Sequence, residues 1–266
     1  LQQPDFKEVV EEAVSLLQSG TMRKIVLARA VDEHLSEAKP IEQILESLNN
    51  AADAQSTCYA YDLDDGSCFV GATPETLFTL EQNQCITMAL AGSRKRGSDA
   101  IEDQALSMEL MNSTKERKEH QLVVEHIANI LQQRDGKVEL PPSPEIRRLQ
   151  KIQHLETDLS CHLQDANAFD LLAAINPTPA VCGLPVSAAK QFIKRHEGLH
   201  RGLYPGALGF HTPDHSHFVV PLRGGIVRGK EARIFAGAGL VETSDPAAEE
   251  EETETKLRLM RQALHG

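Results

Sequence analysis

Apolar positions recur at helical spacing near the start of the chain, where Phe6, Val9, Val10, Ala13, Val14 and Leu17 share one face and Gly20 follows as a stop, predicting a helix over 5–19. The period then changes. "KIVLARAV" (24–31) is short, apolar and β-branched and reads as a strand, and a second helix starts at Pro40 with Ile41, Ile44, Leu45 and Leu48 buried. "STCYAYDL", "SCFVGA", "TLFTLE" and "CITMAL" are strand-like runs separated by Asp-Gly, Thr-Pro and Gln-Asn turn signals, which predicts an antiparallel meander.

From about 99 to 133 two long helical patterns meet near Asn112 and Ser113, where Ser113 caps the second helix and Glu116 completes a capping box. A strand is predicted at 148–160, helices at 168–175 and 186–197 around the rigid loop "NPTPAVCGLP", then the strands "HFVVPLRGGIV" and "ARIFAGAGLV". A last helix carries the run "EEEETETK". Strands in blocks with helices between blocks indicate an α+β fold. No repeat and no long linker divides the chain.

Composition narrows the functional classes. The formal charge of −12 argues against a nucleic-acid partner, because phosphate binding needs clustered cations and "SRKRG" (93–97) is the one dense basic patch. The five cysteines contain no Cys-x-x-Cys pair, so neither a zinc site nor a disulfide framework is indicated. No stretch approaches the roughly 18–20 apolar residues of a membrane span, and the first residues are acidic rather than signal-like. The expected location is the cytosol, with no membrane partner.

Several positions could carry chemistry. In "DPAAEEEETETK", Asp245 caps a helix and Pro246 opens it, so Glu249 and Glu252 share a face and Lys256 follows one turn beyond Glu252. Taken alone this is a solvated acidic helix end. The preceding "GAG" turn, however, permits close approach of backbone to a ligand, and Mg²⁺ is commonly held by one or two carboxylates. Glu119 lies in register with Leu122, Val123 and Ile127, on the buried side of its helix, where a carboxylate needs a partner or a metal. Lys24 opens an apolar strand, either reaching for the strand end or serving as a desolvated base. Glu75, beside Pro74, is a turn residue or an acid of raised pKa. Arg223, read as mid-strand in "VVPLRGG", should face a carboxylate of the protein or of a ligand.

In this order, "KIVLAR", "GATPE", "LAGSRKRG", "KEHQLVVE", "NPTPAVCGLP", "RGLYPGALG", "VPLRGG", "FAGAGLV" and the spacing from Glu249 to Lys256 resemble the chorismate-using enzymes, which include isochorismate, salicylate, anthranilate and aminodeoxychorismate synthases. The resemblance covers residues 24–256. It implies two large antiparallel sheets packed as a sandwich with helices outside, in one catalytic domain over 1–266. It also implies Mg²⁺ on Glu119 and Glu249, with Glu252 a water-mediated partner. The substrate would be chorismate, with Arg223 on its pyruvyl carboxylate, backbone amides around Gly237 and Ala238 beside it, and Gly92, Ser93, His154 and Lys256 lining the same pocket.

Lys24 resembles the lysine of the water-using members, whereas the ammonia-using ones have Gln at that place; Ala91 stands where aminodeoxychorismate synthases tend to have a nucleophilic lysine. The resemblance therefore implies an isochorismate synthase with no obligatory glutamine amidotransferase partner. Lys24 would activate water for attack at C2 and Glu75 would protonate the departing 4-hydroxyl, so their environments should push both pKa values towards neutrality. Salicylate synthase, with later pyruvate elimination, is the close alternative, and a non-catalytic chorismate-binding domain is another. Relatives usually carry a longer N-terminal segment that completes one sheet, and Pro205 replaces a small residue.

Overall fold

A computed structural model describes residues 3–134, 136–164 and 167–266. One sheet runs in the order β2 (Thr57–Asp62), β3 (Cys68–Thr73), β12 (Gly224–Arg228), β13 (Glu231–Leu240), β1 (Lys24–His34) and β9 (Gly183–Leu184). The other runs β10 (Leu208–His211), β11 (His215–Val219), β4 (Thr76–Glu81), β5 (Gln84–Lys95), β8 (Ile152–His162) and β6 (Lys137–Glu139), with β7 (Glu145–Arg148) also on β8. The pairings are antiparallel. The α+β architecture expected from the sequence is the one observed.

Helices cover the outer face of each sheet. Val10, Ala13 and Leu17 of α1 (Phe6–Gln18) and Phe192 of α6 (Val186–His196) pack on Ile25, Leu27, Ala238 and Leu240. Ile44 and Leu48 of α2 (Ile41–Ala51) and Leu257 and Met260 of α7 (Pro246–His265) cover Val70 and Ile234. On the second sheet α4 (Thr114–Gln132) and α5 (Ala168–Ile175) bring Val123, Ile127, Leu131 and Leu171 onto Phe78, Ala89, Leu159 and Phe218. Each such buried aliphatic side chain contributes about 1.5–3 kcal/mol relative to exposure. Because strand side chains alternate, anchoring Ile25 and Leu27 outward turns Lys24, Val26 and Ala28 to the space between the sheets.

Two sequence expectations are corrected here. The four strand runs from 56 to 90 are not one meander, because β2 and β3 belong to the first sheet and β4 and β5 to the second. Pro74, which has no N–H for a ladder, stands at the crossing. "HFVVPLRGGIV" is likewise two strands: β11 ends at Val219, and the chain crosses through Pro221 and Arg223 before β12. Arg223 sits not mid-strand but in a left-handed conformation, φ 51°. The two crossings run side by side, with Val220 N–H donating to the Glu75 carbonyl (3.0 Å) and Ala72 N–H to that of Arg223 (3.3 Å). The junction between the sheets thus holds Glu75 and Arg223 together.

The capping box is half formed. Ser113 Oγ accepts from Glu116 N–H at 3.3 Å, but the Glu116 carboxylate accepts from Ser93 N–H at 2.9 Å instead of returning to the cap. The helix preceding it, α3 (Ala100–Asn112), ends at Ser113 as the sequence indicates. Among the described residues no helix is long and apolar enough to cross a membrane.

Candidate active site

A cavity of about 690 Å³, counting its open mouth, lies between the sheets. Its lining includes Glu75, Gly92, Ser93, Glu119, His154, Arg223, Gly237, Glu252 and Lys256. Lys24 is fully buried at the edge of this space, with its Nζ 3.0 Å from Glu119 Oε1 in an ion pair that lacks hydrogen-bond geometry. Ala238 stands behind the lining, its side chain in the apolar cluster under α1 and α6. Gly237 turns its carbonyl to Lys256 Nζ at 2.9 Å, away from β1, so backbone alternation directs Ala238 to the β1 ladder opposite Leu27.

Glu75 is buried, and its carboxyl forms no hydrogen bond or ion pair among the described residues. Burial pushes its pKa up to about 7, with Lys24 and Lys256 pulling partly the other way. Its backbone is fixed, since Glu75 N–H donates to Thr73 Oγ1 (3.2 Å) and Thr73 Oγ1 donates to the Val220 carbonyl (2.6 Å). This gives Glu75 the raised pKa expected of an acid.

Arg223 is buried without a carboxylate within ion-pair distance among the described residues; its Nη2 donates to His154 Nε2 at 3.0 Å. His154 Nδ1 lies 3.2 Å from the Gly92 carbonyl. A carbonyl accepts and a guanidinium donates, so His154 is neutral and protonated on Nδ1. Burial, then the charge of Arg223, lowers the His154 pKa well below its ordinary value, in keeping with that tautomer. Burial also lowers Arg223, to about 10. A desolvated cation of this kind calls for an anionic ligand.

The bulge in β5 aims the next group. The register passes from Ala91 opposite Leu155 to Ser93 opposite His154, leaving Gly92 extra at φ +79°, where a Cβ would come within 3.2 Å of Glu116. Ser93 then donates through its N–H to Glu116 and through Oγ to Glu252 Oε1 (3.0 Å). Glu252 also accepts from Lys256 Nζ at 2.6 Å, and despite burial this partner lowers its pKa.

Glu249 lies in an adjoining cavity that shares Ser93 and Glu252 with the first. Lys115 Nζ reaches Glu249 Oε1 at 2.6 Å and Glu116 Oε1 at 3.5 Å. Glu249 is raised by burial and then by the charge of Glu252, and Glu116 by burial and then Glu119. The other glutamates of the run behave differently: Glu250 pairs with Lys7 at 2.9 Å, and Glu251 is exposed.

The donor set fits a hard divalent cation. It consists of carboxylate oxygens, Glu116 and Glu249 sharing the one ammonium of Lys115, and Mg²⁺ takes only one or two protein carboxylates while keeping waters. Gly239 completes the cradle, because a Cβ there would lie 2.0 Å from Glu119 Oε1. Among the described residues no ready-made group of three ligands stands together, as lysines occupy the carboxylates.

Sequence reasoning gave Glu116 only a capping role and passed over Lys115, although they lie three and four residues before Glu119, on its helical face. Glu197 and Arg201 were missed too. Arg201 pairs with Glu197 through Nε at 2.7 Å and Nη2 at 2.5 Å, and also donates to the carbonyls of Val181 (3.0 Å) and Val26 (2.7 Å), while Glu197 accepts from Ala28 N–H (2.7 Å). Past the two-residue β9, these side chains continue the ladder along β1 beside Lys24. Pro205, Tyr204 and Arg201 also line the cavity.

A two-sheet α+β core around such a cavity places the chain in a known class: it belongs to the chorismate binding enzyme family, which matches residues 1–265. It is 42% identical over 96% of its length to the salicylate biosynthesis isochorismate synthase of Pseudomonas aeruginosa, covering 53% of that protein. It is 36% identical over 100% of its length to the isochorismate synthase MenF of Bacillus subtilis, covering 56% of it. The solved structure of MenF, the menaquinone-specific isochorismate synthase from Escherichia coli, matches with a TM-score of 0.90 and 33% identity over 99% of this chain and 62% of that one. The chain thus spans little more than half the length of these two curated relatives.

Proposed function

We propose that the protein is a Mg²⁺-dependent isochorismate synthase, adding water at C2 of chorismate with loss of the 4-hydroxyl. The observation that carries this reading is one cavity lined by a buried carboxyl of raised pKa and a buried arginine with no carboxylate of its own, with a buried lysine against Glu119 of the cavity wall. Names of the relatives agree with it.

In the reaction, Lys24 in its amine form takes a proton from water as the C2–O bond forms. The ring double bonds shift, the C4–O bond breaks, and Glu75 delivers its proton to the departing hydroxyl so that it leaves as water. A carboxyl with a pKa of about 7 keeps that proton available near neutral pH. Arg223, oriented by neutral His154, takes the pyruvyl carboxylate, with the Gly237 backbone beside it. Lys256, tied to Glu252 and the Gly237 carbonyl, holds this wall in place.

Glu119 and Glu249 would hold Mg²⁺, with Glu252 through water. The bound ion would supply the counter-charge for the ring carboxylate. Chorismate is therefore the substrate, and the lysine at position 24 favours water over ammonia as nucleophile, with no amidotransferase partner needed.

Incubation with chorismate and Mg²⁺, followed by chromatography, should yield isochorismate with little pyruvate. Lys24→Ala should bind chorismate without converting it. Substantial pyruvate and salicylate fluorescence would redirect the reading to a salicylate synthase. Binding without turnover by the unmutated chain would redirect it to a non-catalytic domain.

A further inference from the structure

Lys115 has no role in the reaction above, and its position is unfavourable on local grounds. It is the second residue of α4, in the first turn, where the helix dipole repels a cation. What holds it there is a set of carboxylates from two helices: Glu249 of α7 at 2.6 Å and Glu116 of its own helix at 3.5 Å. Glu249 has a side chain only 1% exposed, so an empty site would leave it uncompensated.

Glu116 and Glu249 share the single ammonium of Lys115, whereas Glu119 and Glu252 each have a lysine of their own. A divalent cation on Glu249 would meet that ammonium on the same carboxylate, and two cations at such short range repel, so one of them must leave. Lys115 has somewhere to go, because its side chain is 25% exposed and lines the second cavity, which opens beside Ser93 and Glu252.

We propose that Lys115 is an internal counter-ion that occupies the carboxylate site in the metal-free protein and is displaced when Mg²⁺ binds, so that metal affinity is set by competition with this side chain. This rests on the Mg²⁺ reading given above. The exchange keeps Glu249 and Glu116 compensated in both states and ties assembly of the site to metal uptake.

Removing the competitor should tighten metal binding. If the site is free of Lys115 one tenth of the time or less, Lys115→Met should lower the apparent Kd for Mg²⁺ by about tenfold or more. The measurement is calorimetry with Mg²⁺ alone, supported by paramagnetic resonance of Mn²⁺, on the whole chain without substrate. Without metal the variant should melt below the unmutated protein, and saturating Mg²⁺ should restore most of that loss. Lys115→Arg keeps the charge and should bind no more tightly than the unmutated chain, which controls for a general loss of packing. Unchanged or weaker Mg²⁺ binding by Lys115→Met would overturn the proposal, because the lysine would then be a fixed support for Glu249. A melting loss of equal size with and without metal would overturn it as well. If the unmutated chain bound neither ion at millimolar concentration, the metal reading itself would fall, and this proposal with it.

Discussion

Glu75 allows stability and catalysis to be tested against each other in one variant. The residue is 4% exposed and the pKa of its carboxyl is raised from 4.5 to about 7. At about 1.4 kcal/mol per tenfold change in proton affinity, that rise corresponds to roughly 3 kcal/mol. The sign follows from proton counting. Between pH 4.5 and 7 the folded protein keeps the proton that the unfolded chain has lost, so this contribution is fully present below pH 4.5 and is lost as pH rises through about 7.

Glu75→Gln is neutral throughout and close in shape. It should unfold at nearly the same urea concentration as the unmutated protein at pH 4.5, and be more stable by up to about 3 kcal/mol at pH 8. The same variant should lose about 10²- to 10⁴-fold in kcat, the typical contribution of a general acid. In the unmutated protein kcat/KM should decline as pH rises through about 7, and this limb should be missing from the residual rate of the variant. A stability difference equal at both pH values would refute the claim that burial holds this carboxyl protonated. A kcat/KM limb that persists in Glu75→Gln would refute its role as the acid.

Three further outcomes follow from the geometry. Arg223→Ala should raise the KM for chorismate by about 30- to 1,000-fold, from loss of about 2–4 kcal/mol of charge-assisted hydrogen bonding, and Arg223→Lys should recover only part of it in steady-state assays. Gly239→Ala places a methyl group 2.0 Å from Glu119 Oε1 and forces that carboxylate off the buried Lys24, so turnover and Mg²⁺ binding should fall sharply and the melting temperature should drop as well. Arg201→Met leaves Glu197 buried at 2% exposure with its charge unpaired, and thermal or urea unfolding should reveal a loss of about 3–5 kcal/mol.

Much of the fold was legible in the sequence because period and punctuation are local. The helix from Asp245 to Lys256 follows from its cap and its proline, and the structure keeps both: Asp245 accepts from Ala248 N–H at 2.9 Å and Pro246 opens α7. Lys24 was visible as a cation in an apolar strand. The division of 56–90 between two sheets was not visible, because Thr-Pro reads equally well as a hairpin turn and as a crossing. Arg223 looked mid-strand because its neighbours are apolar, and the break is a backbone conformation that Val220, Pro221 and Arg223 adopt where two crossings meet.

The site divides in the same way. Spacing along a helix by itself determined that Glu249, Glu252 and Lys256 share a face, and composition that Lys24 is a cation in an apolar strand; its facing the space between the sheets followed only from the packing of Ile25 and Leu27 under the outer helices. Only the tertiary structure decided what the other charges meet: Lys24 with Glu119, Lys115 with Glu249, and Arg223 with a neutral histidine. The physical reason is range. Helical and strand periods are set within a few residues by backbone geometry, whereas the energy of a buried charge depends on which groups fold to within a few ångströms of it from distant parts of the chain.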